Sequence, residues 1–414
     1  MHRRQFMSVP LAAGAAAVSA GVGLAGFPTT ALAAAATPSE RISVLDFIPA
    51  GLCAGVLDGT GTADLTAYIQ AAIDTRPGVF LDVQFPTGVY RVDGTLRVLR
   101  SHIWLSGENA TLLHGGAGDA IQFGDGINRW DRIQIGGFLI GKAQAASAGA
   151  MIRSRLCSTV TVRDCYFYGD NKIFDVMSFE RGYMIYVHNV ISERCLGTHV
   201  SISGTGPDTD RLVDLTVYDC RFDYGRTALS GNGYVEGIYF RRNICLRQHN
   251  ISVSLNGTPQ WTIPSVKLQE NDFDGGDSIG VQVNYLSNFQ FNDNWFSSLQ
   301  DTALRIDAQA AGGTVSANQF YATPGRSAME IGGGNVVITG NTISGGNQGL
   351  YLRGSSRNVV FTGNAITYMQ GSAINLYENP SQVTIVGNNL IGNVGGISSG
   401  GTTLNVASNL IAAA

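Results

Sequence analysis

Arg305, Asp307, Glu330 and Arg353 fall within a run of four short stretches: TALRID from Thr302, SAMEIG from Ser327, QGLYLR from Gln348 and SAINLY from Ser372. Each reads small, apolar, variable, apolar, and earlier counterparts carry Ser, Asn or Gln at the variable places. Two carboxylates suit glycoside hydrolysis, which uses a pair about 5–10 Å apart. Guanidiniums suit proton abstraction beside a sugar carboxylate, with Tyr351, Tyr377, Arg305 or Arg353 as base or charge neutraliser. Arg305 and Glu330 on neighbouring strands also suit a plain cross-strand ion pair. Asp307, Glu330 and Arg305 are therefore the catalytic candidates, and Arg353, Tyr351, Tyr377, Asn284, Gln282 and Trp261 the substrate-binding ones.

The elements that would position them show in a second motif. VKLQENDF from Val266, FQFNDNWF from Phe289, VVITGNTI from Val336, VVFTGNAI from Val359 and VTIVGNNL from Val383 each place alternating apolar residues before a turn ending in Asn. Asn189, Asn243, Asn271, Asn294, Asn318, Asn341, Asn364, Asn388 and Asn409 take that place, and Cys165 and Cys220 fill it elsewhere. From Asn271 the steps are 23, 24, 23, 23, 24 and 21 residues. Alternation at a period of two inside a 20–30-residue repeat predicts a β-solenoid, not helical repeats. The expected fold is all-β, a right-handed parallel β-helix of about 12–13 coils with three short strands each. The Asn is expected to sit left-handed in its turn and to form a side-chain ladder.

In that register one outward column reads Ser201, Ser230, Ser254, Gln282, Arg305, Glu330, Tyr351, Asn375, and the next reads Ser203, Asn232, Asn256, Asn284, Asp307, Gly332, Arg353, Tyr377. Asp307 and Glu330 are expected to face solvent roughly 8 Å apart. Gly332 is expected to leave a sugar-sized gap between Asp307 and Arg353. The insertions Gly204–Arg211 and Gly257–Pro264 would wall this groove, Trp261 serving as a sugar platform or as a loop anchor. No metal site is expected; Asp274, Asp277 and Asp301 are the only suggestion of a Ca²⁺ site.

The Asn after a V-x-I strand resembles the pectate-lyase-like superfamily of parallel β-helices. The segments Ile42–Gly51, Thr62–Asp74 and Val83–Val98 resemble the N-terminal part shared by phage tailspikes and exopolysaccharide-degrading enzymes. The resemblance implies a glycan groove along the third strand. The Asn-Thr-Asp, paired-Asp and Gly-His-Gly signatures of polygalacturonase-like members, the Arg-rich signature of pectate lyases and the Asp-Pro-His-Asp of alginate epimerases are absent. The expected function is an exported polysaccharide-acting enzyme, lyase, glycosidase or epimerase, on an acidic bacterial glycan. The alternative is a non-catalytic glycan-binding or cell-envelope scaffold.

Composition bounds the rest. The chain has 414 residues, 14% charged, with net charge −4 and no basic block, which argues against a nucleic-acid partner. His2–Met7 (HRRQFM) before a weakly apolar run and Ala31–Ala36 resembles a twin-arginine signal, placing the protein in the periplasm or outside the cell. The domains expected are a signal peptide at 1–33, an N-terminal segment at 34–100 and a β-helix at 101–414. Leu65, Tyr68, Ile69, Ala72 and Ile73 share one helical face, predicting a helix that caps the first coil. No membrane span is expected in the mature chain. A second copy is expected to cover the C-terminal edge. The six cysteines lack a CxxC pair, and most are expected to be buried thiols.

Overall fold

A computed structural model describes residues 39–398 and 404–413. The signal segment assigned to 1–33 lies outside the described residues. The chain winds into a right-handed parallel β-helix of about 14 turns. Its strands belong to one ladder, each pairing in parallel with its counterpart in the next coil. In the coil around Glu330 the third strand is Ser327–Ile331, followed by the first strand of the next coil at Gly334–Thr339 and its second at Thr342–Gly346. Alternation dictates which residues fill the centre. Leu304, Ile306, Met329, Ile331, Leu350 and Leu352 point inward and are fully buried.

The repeat count exceeds the 12–13 read from sequence because the early coils hide their corners. Ile103–His114 and Trp130–Lys142 run through first and second strands, while Ala150–Arg163 and Asp175–His188 join third to first. None of these carries the Asn that marks the later coils. Parallel pairing already begins at Ser39–Ser43, which lies beside Phe80–Phe85.

The Asn ladder forms from Asn243 to Asn409. Each side-chain amide donates to the carbonyl of the Asn one coil on, at 2.9–3.2 Å. It also donates to a core-strand carbonyl, as Asn318 does to Phe291 at 2.9 Å. Two expectations need correction. The left-handed residue is the one before the ladder Asn: Glu270, Asp293, Ala317, Gly340, Gly363, Gly387 and Ser408 all have positive φ. Asn189 is itself such a residue, so it bonds outward to Asp164, and buried Val190 takes the inward slot.

Two short helices lie at the N-terminal end, α1 (Ala50–Leu57) and α2 (Thr66–Asp74). Helix α2 is the expected cap: Leu65, Ile69, Ala72 and Ile73 are buried in the common core and Tyr68 packs against it. Helix α1, with two glycines and no clear apolar period, was not foreseen. All six cysteines are free thiols, and burial pushes those of Cys165, Cys195 and Cys220 up to about 12. The five other than Cys53 are buried and act as inert packing residues. Among the described residues no helix is long and apolar enough to cross a membrane.

Candidate functional site

The third-strand columns stack as the period requires. Gln282 pairs with Arg305, Arg305 with Glu330, Glu330 with Tyr351 and Tyr351 with Asn375. In the second column Asn232, Asn256 and Asn284 stack in register. Asn232 and Asn256 donate to Ser230 and Ser254 beside them, giving a neutral hydroxyl-and-amide floor.

Above this floor the charges form one connected network. Arg305 Nε donates to Glu330 Oε2 at 3.0 Å, and its Nη2 reaches Asp301 Oδ2 at 3.3 Å. Arg353 clasps the other Glu330 oxygen and reaches Asp307 Oδ1 with Nη1 at 3.3 Å. Gln282 Nε2 donates to Asp307 Oδ2 at 2.7 Å. Arg326 approaches Glu330 at 4.0 Å and lies over the Tyr351 ring at 5.2 Å.

This geometry corrects the reading of Glu330. Its side chain points outward from the strand but is 0% exposed, covered by three guanidiniums. A buried carboxylate needs such partners, and Glu330 has them. Its two oxygens are enclosed by Arg305, Arg326 and Arg353. Asp307 keeps 17% of its side chain exposed. The gap expected at Gly332 is also taken: a Cβ there would meet Arg353 Cδ at 3.4 Å and Ala308 N at 3.2 Å, because the Arg353 side chain crosses to Asp307.

Trp261, partly buried, makes the contacts of a loop anchor. Its indole N–H donates to the Val235 carbonyl at 3.0 Å, and its ring packs on Tyr234 and the core. Asn284 accepts the amide of Tyr285 at 3.1 Å. Tyr377 is the accessible aromatic, stacked at 5.5 Å on buried Tyr351. Burial raises the Tyr351 phenol above its usual pKa, Arg326 opposing, so less of it is present as the phenolate a base would need. Asp274, Asp277 and Asp301 do not converge; they pair separately with Ser297, His249 and Arg305. Among the described residues no group of three or more His, Cys, Asp or Glu is placed to hold a metal.

Two features were missed. Arg326, 53% exposed, rises from the loop before Ser327 and is the most accessible cation of the cluster. Its only signal was its place four residues before Glu330. A second ionic cluster occupies the same columns in earlier coils. Arg153 lies between Asp119 Oδ2 (2.8 Å) and Glu180, and Arg155 Nε is 3.1 Å from Glu180. Arg153 pairs with Ser178, which pairs with Ser201, so one outward column joins the two clusters.

Residues 253–411 match a family model described as a right-handed beta helix region. No curated protein matches the sequence. Among solved structures, the A-module of Azotobacter vinelandii mannuronan C-5 epimerase AlgE4 superposes with TM-score 0.62 at 18% identity, over 89% of this chain and 100% of that one. The catalytic unit of a GH87 α-1,3-glucanase from Streptomyces thermodiastaticus gives 0.66 at 16%, over 90% and 71%. PfbA, a surface adhesin of Streptococcus pneumoniae, gives 0.55 at 16%, over 90% and 93%. At such identities the likeness is one of fold, and the fold is the right-handed parallel β-helix.

Proposed function

We propose that this protein is a glycan-acting β-helix enzyme that abstracts a proton beside the carboxylate of an acidic polysaccharide lying across the third-strand face. The observation that carries the reading is the accessible set of Arg326, Asp307 and Tyr377 around guanidiniums held in place by Glu330. Arg326 and the free edge of Arg305 bind the sugar carboxylate and neutralise the charge that develops on proton loss. Asp307 is the base, and Tyr377 stacks against an adjoining ring. β-Elimination then breaks the bond between the neighbouring carbon and the linkage oxygen, which takes a proton from solvent, while inversion instead adds a solvent proton to the opposite face of the deprotonated carbon. Hydrolysis is less well served, because it needs two reachable carboxyl groups and Glu330 is enclosed. A neighbour named as a mannuronan C-5 epimerase supports chemistry of this kind on this scaffold.

The test is to incubate the protein lacking residues 1–33 with a panel of acidic exopolysaccharides. Unsaturated uronate ends, inverted residues by NMR, and reducing ends are followed separately. The expected result is unsaturation or inversion on at least one substrate. Asp307→Asn should lower kcat by about 10²-fold or more, and Arg326→Ala should raise KM. Reducing ends formed without unsaturation would overturn the assignment. The alternative reading, glycan binding without turnover, has one observation in its favour: Asp307 is already engaged by Gln282 and Arg353. Tight binding with none of the three products would establish it. Export through a twin-arginine signal, and a second copy covering exposed Val406, Leu410 and Ile411 at the last described coil, complete the proposal.

A further inference from the structure

A different face of the solenoid carries aromatic residues that the third-strand site does not use. Trp295, Tyr321 and Tyr368 project from second strands (Trp295–Ser297, Gln319–Thr323 and Ala365–Met369), and all three are exposed, Tyr321 at 54% and Tyr368 at 68%. Trp295 and Tyr321 are stacked on adjacent coils, 6.2 Å between centroids with 26° between planes. Such rings are apolar surface left in water. They are not scattered singly, which needs no explanation, but frame a cleft.

The cleft has a volume of about 420 Å³. Tyr321 and Pro324 form one wall, Tyr368 and Gln370 the other, and Ser344, Gly345 and Gly346 the floor. Register explains the opening. Tyr321 pairs with Ser344 and Ser344 with Thr367, so the tyrosine walls stand two rungs apart, roughly 10 Å. Between them the chain carries two glycines. A Cβ on Gly345 would meet nothing nearer than 3.9 Å and would enter the cleft.

The backbone marks the same spot. Successive later coils make a left-handed bulge here, at Ser298, Ala322, Gly345, Tyr368 and Gly392. Four of these five residues are small, as a positive φ favours, and Tyr368 places a ring there, as Tyr224 does in an earlier coil. Its ring leans over Gly392, where a Cβ would come within 2.9 Å of it.

We infer that this cleft is a second carbohydrate-binding site, distinct from the third-strand face, that takes a neutral sugar ring between Tyr321 and Tyr368. The lining carries no carboxylate and no cation, so an acidic sugar gains nothing here. Aromatic faces offer stacking surface for the C–H face of a pyranose. The Gln370 amide, the Ser344 hydroxyl and the bare glycine backbone offer the few polar contacts that orient a ligand. The volume lies at the lower end of the range for small-molecule sites, suiting one or two rings. Trp295 extends the platform by a further coil. This inference does not rest on the proposed chemistry at Asp307.

The experiment uses the protein lacking residues 1–33, titrated with neutral gluco-, manno- and chito-oligosaccharides, following tryptophan fluorescence and calorimetric heat. Saturable binding to at least one is expected. Tyr321→Ala and Tyr368→Ala should each weaken it by about 3- to 10-fold, and the double variant should abolish it. Gly345→Asn, which tolerates the left-handed backbone and fills the floor, should also abolish it. Circular dichroism should be unchanged, since both tyrosines are exposed. Any activity on an acidic polysaccharide should persist in the double variant. Absence of binding to every neutral oligosaccharide, or binding undiminished in the double variant, overturns the inference. So does concentration-dependent dimerisation that the double variant abolishes, because the face would then serve a second copy.

Discussion

Replacing Glu330 with Gln separates a positioning role from a catalytic one. Glutamine has nearly the volume of glutamate, so no cavity opens. The change removes a buried charge that three guanidiniums face and turns one acceptor oxygen into an amide donor. Removing one partner of a buried ion pair commonly costs about 3–5 kcal/mol. Here the arginines keep other partners: Arg305 retains Asp301 and Arg353 retains Asp307, each at 3.3 Å. The loss is therefore closer to one charged hydrogen bond plus the repulsion of an amide N–H, about 2–3 kcal/mol. Asp307→Asn, at a partly exposed site, should cost less than about 1 kcal/mol. Denaturant unfolding of both variants, followed by circular dichroism, gives the comparison. A solenoid can unfold in parts, so tryptophan fluorescence should be recorded beside it. Activity should fall in both variants, but stability only in Glu330→Gln. Unchanged unfolding of Glu330→Gln would refute the claim that this carboxylate holds the arginines in place.

The Asn ladder should be stiffest in its middle: Asn318→Ala strands the amides of Asn294 and should cost about 3–5 kcal/mol, whereas Asn409→Ala at the ladder end should cost about 1–2, both read from denaturant midpoints. Burial, helped by Asp274, raises the carboxyl of Asp272 from its ordinary 3.8 to about 6. The folded state then holds a proton that the unfolded chain has released, so stability falls as pH rises from about 4 to 6 and stays lowered above that. Asp272→Asn should remove this slope and raise the melting temperature near pH 7 by a few degrees; a variant less stable than the parent at pH 7 would show that the charge is compensated. Arg3→Lys with Arg4→Lys should leave precursor in the cytoplasm, detected by fractionation, and normal export would disprove the twin-arginine reading.

What was legible in the sequence is what a two-residue period can encode. The alternation of Leu304, Ile306, Met329 and Ile331 with polar neighbours set the coil, its core and the rung partners of Arg305 and Glu330. The recurring Asn marked the corner but not its backbone, because one residue earlier Asp293, Ala317 and Gly340 share no side-chain signature for their left-handed turn. The early coils were harder because Cys165 and Val190 fill the ladder slot with apolar groups. Glu330 exposes a further limit: alternation tells which way a side chain leaves the strand, not what then covers it. Three long arginines, one from a loop, close over an outward carboxylate.

That distinction bears on where chemistry is to be sought. Glu180 in the earlier coils is also an outward carboxylate, gripped by Arg153 and Arg155 of the preceding coil. Parallel stacking brings each outward residue within about 5 Å of its counterpart one rung away, so like charges must be separated and opposite charges drift into register. Ionic clusters are thus an ordinary product of this fold, and their presence alone does not mark a site. What sets the C-terminal cluster apart is what surrounds the ion pairs. Arg326 enters from outside the strand register and leaves about half of its side chain exposed, and Tyr377 offers an exposed ring over Tyr351. Neither is needed to balance Glu330, which Arg305 and Arg353 already satisfy. The proposed ligand reading therefore rests on Arg326 and Tyr377 beside Asp307, and not on the ion pairs of Glu330.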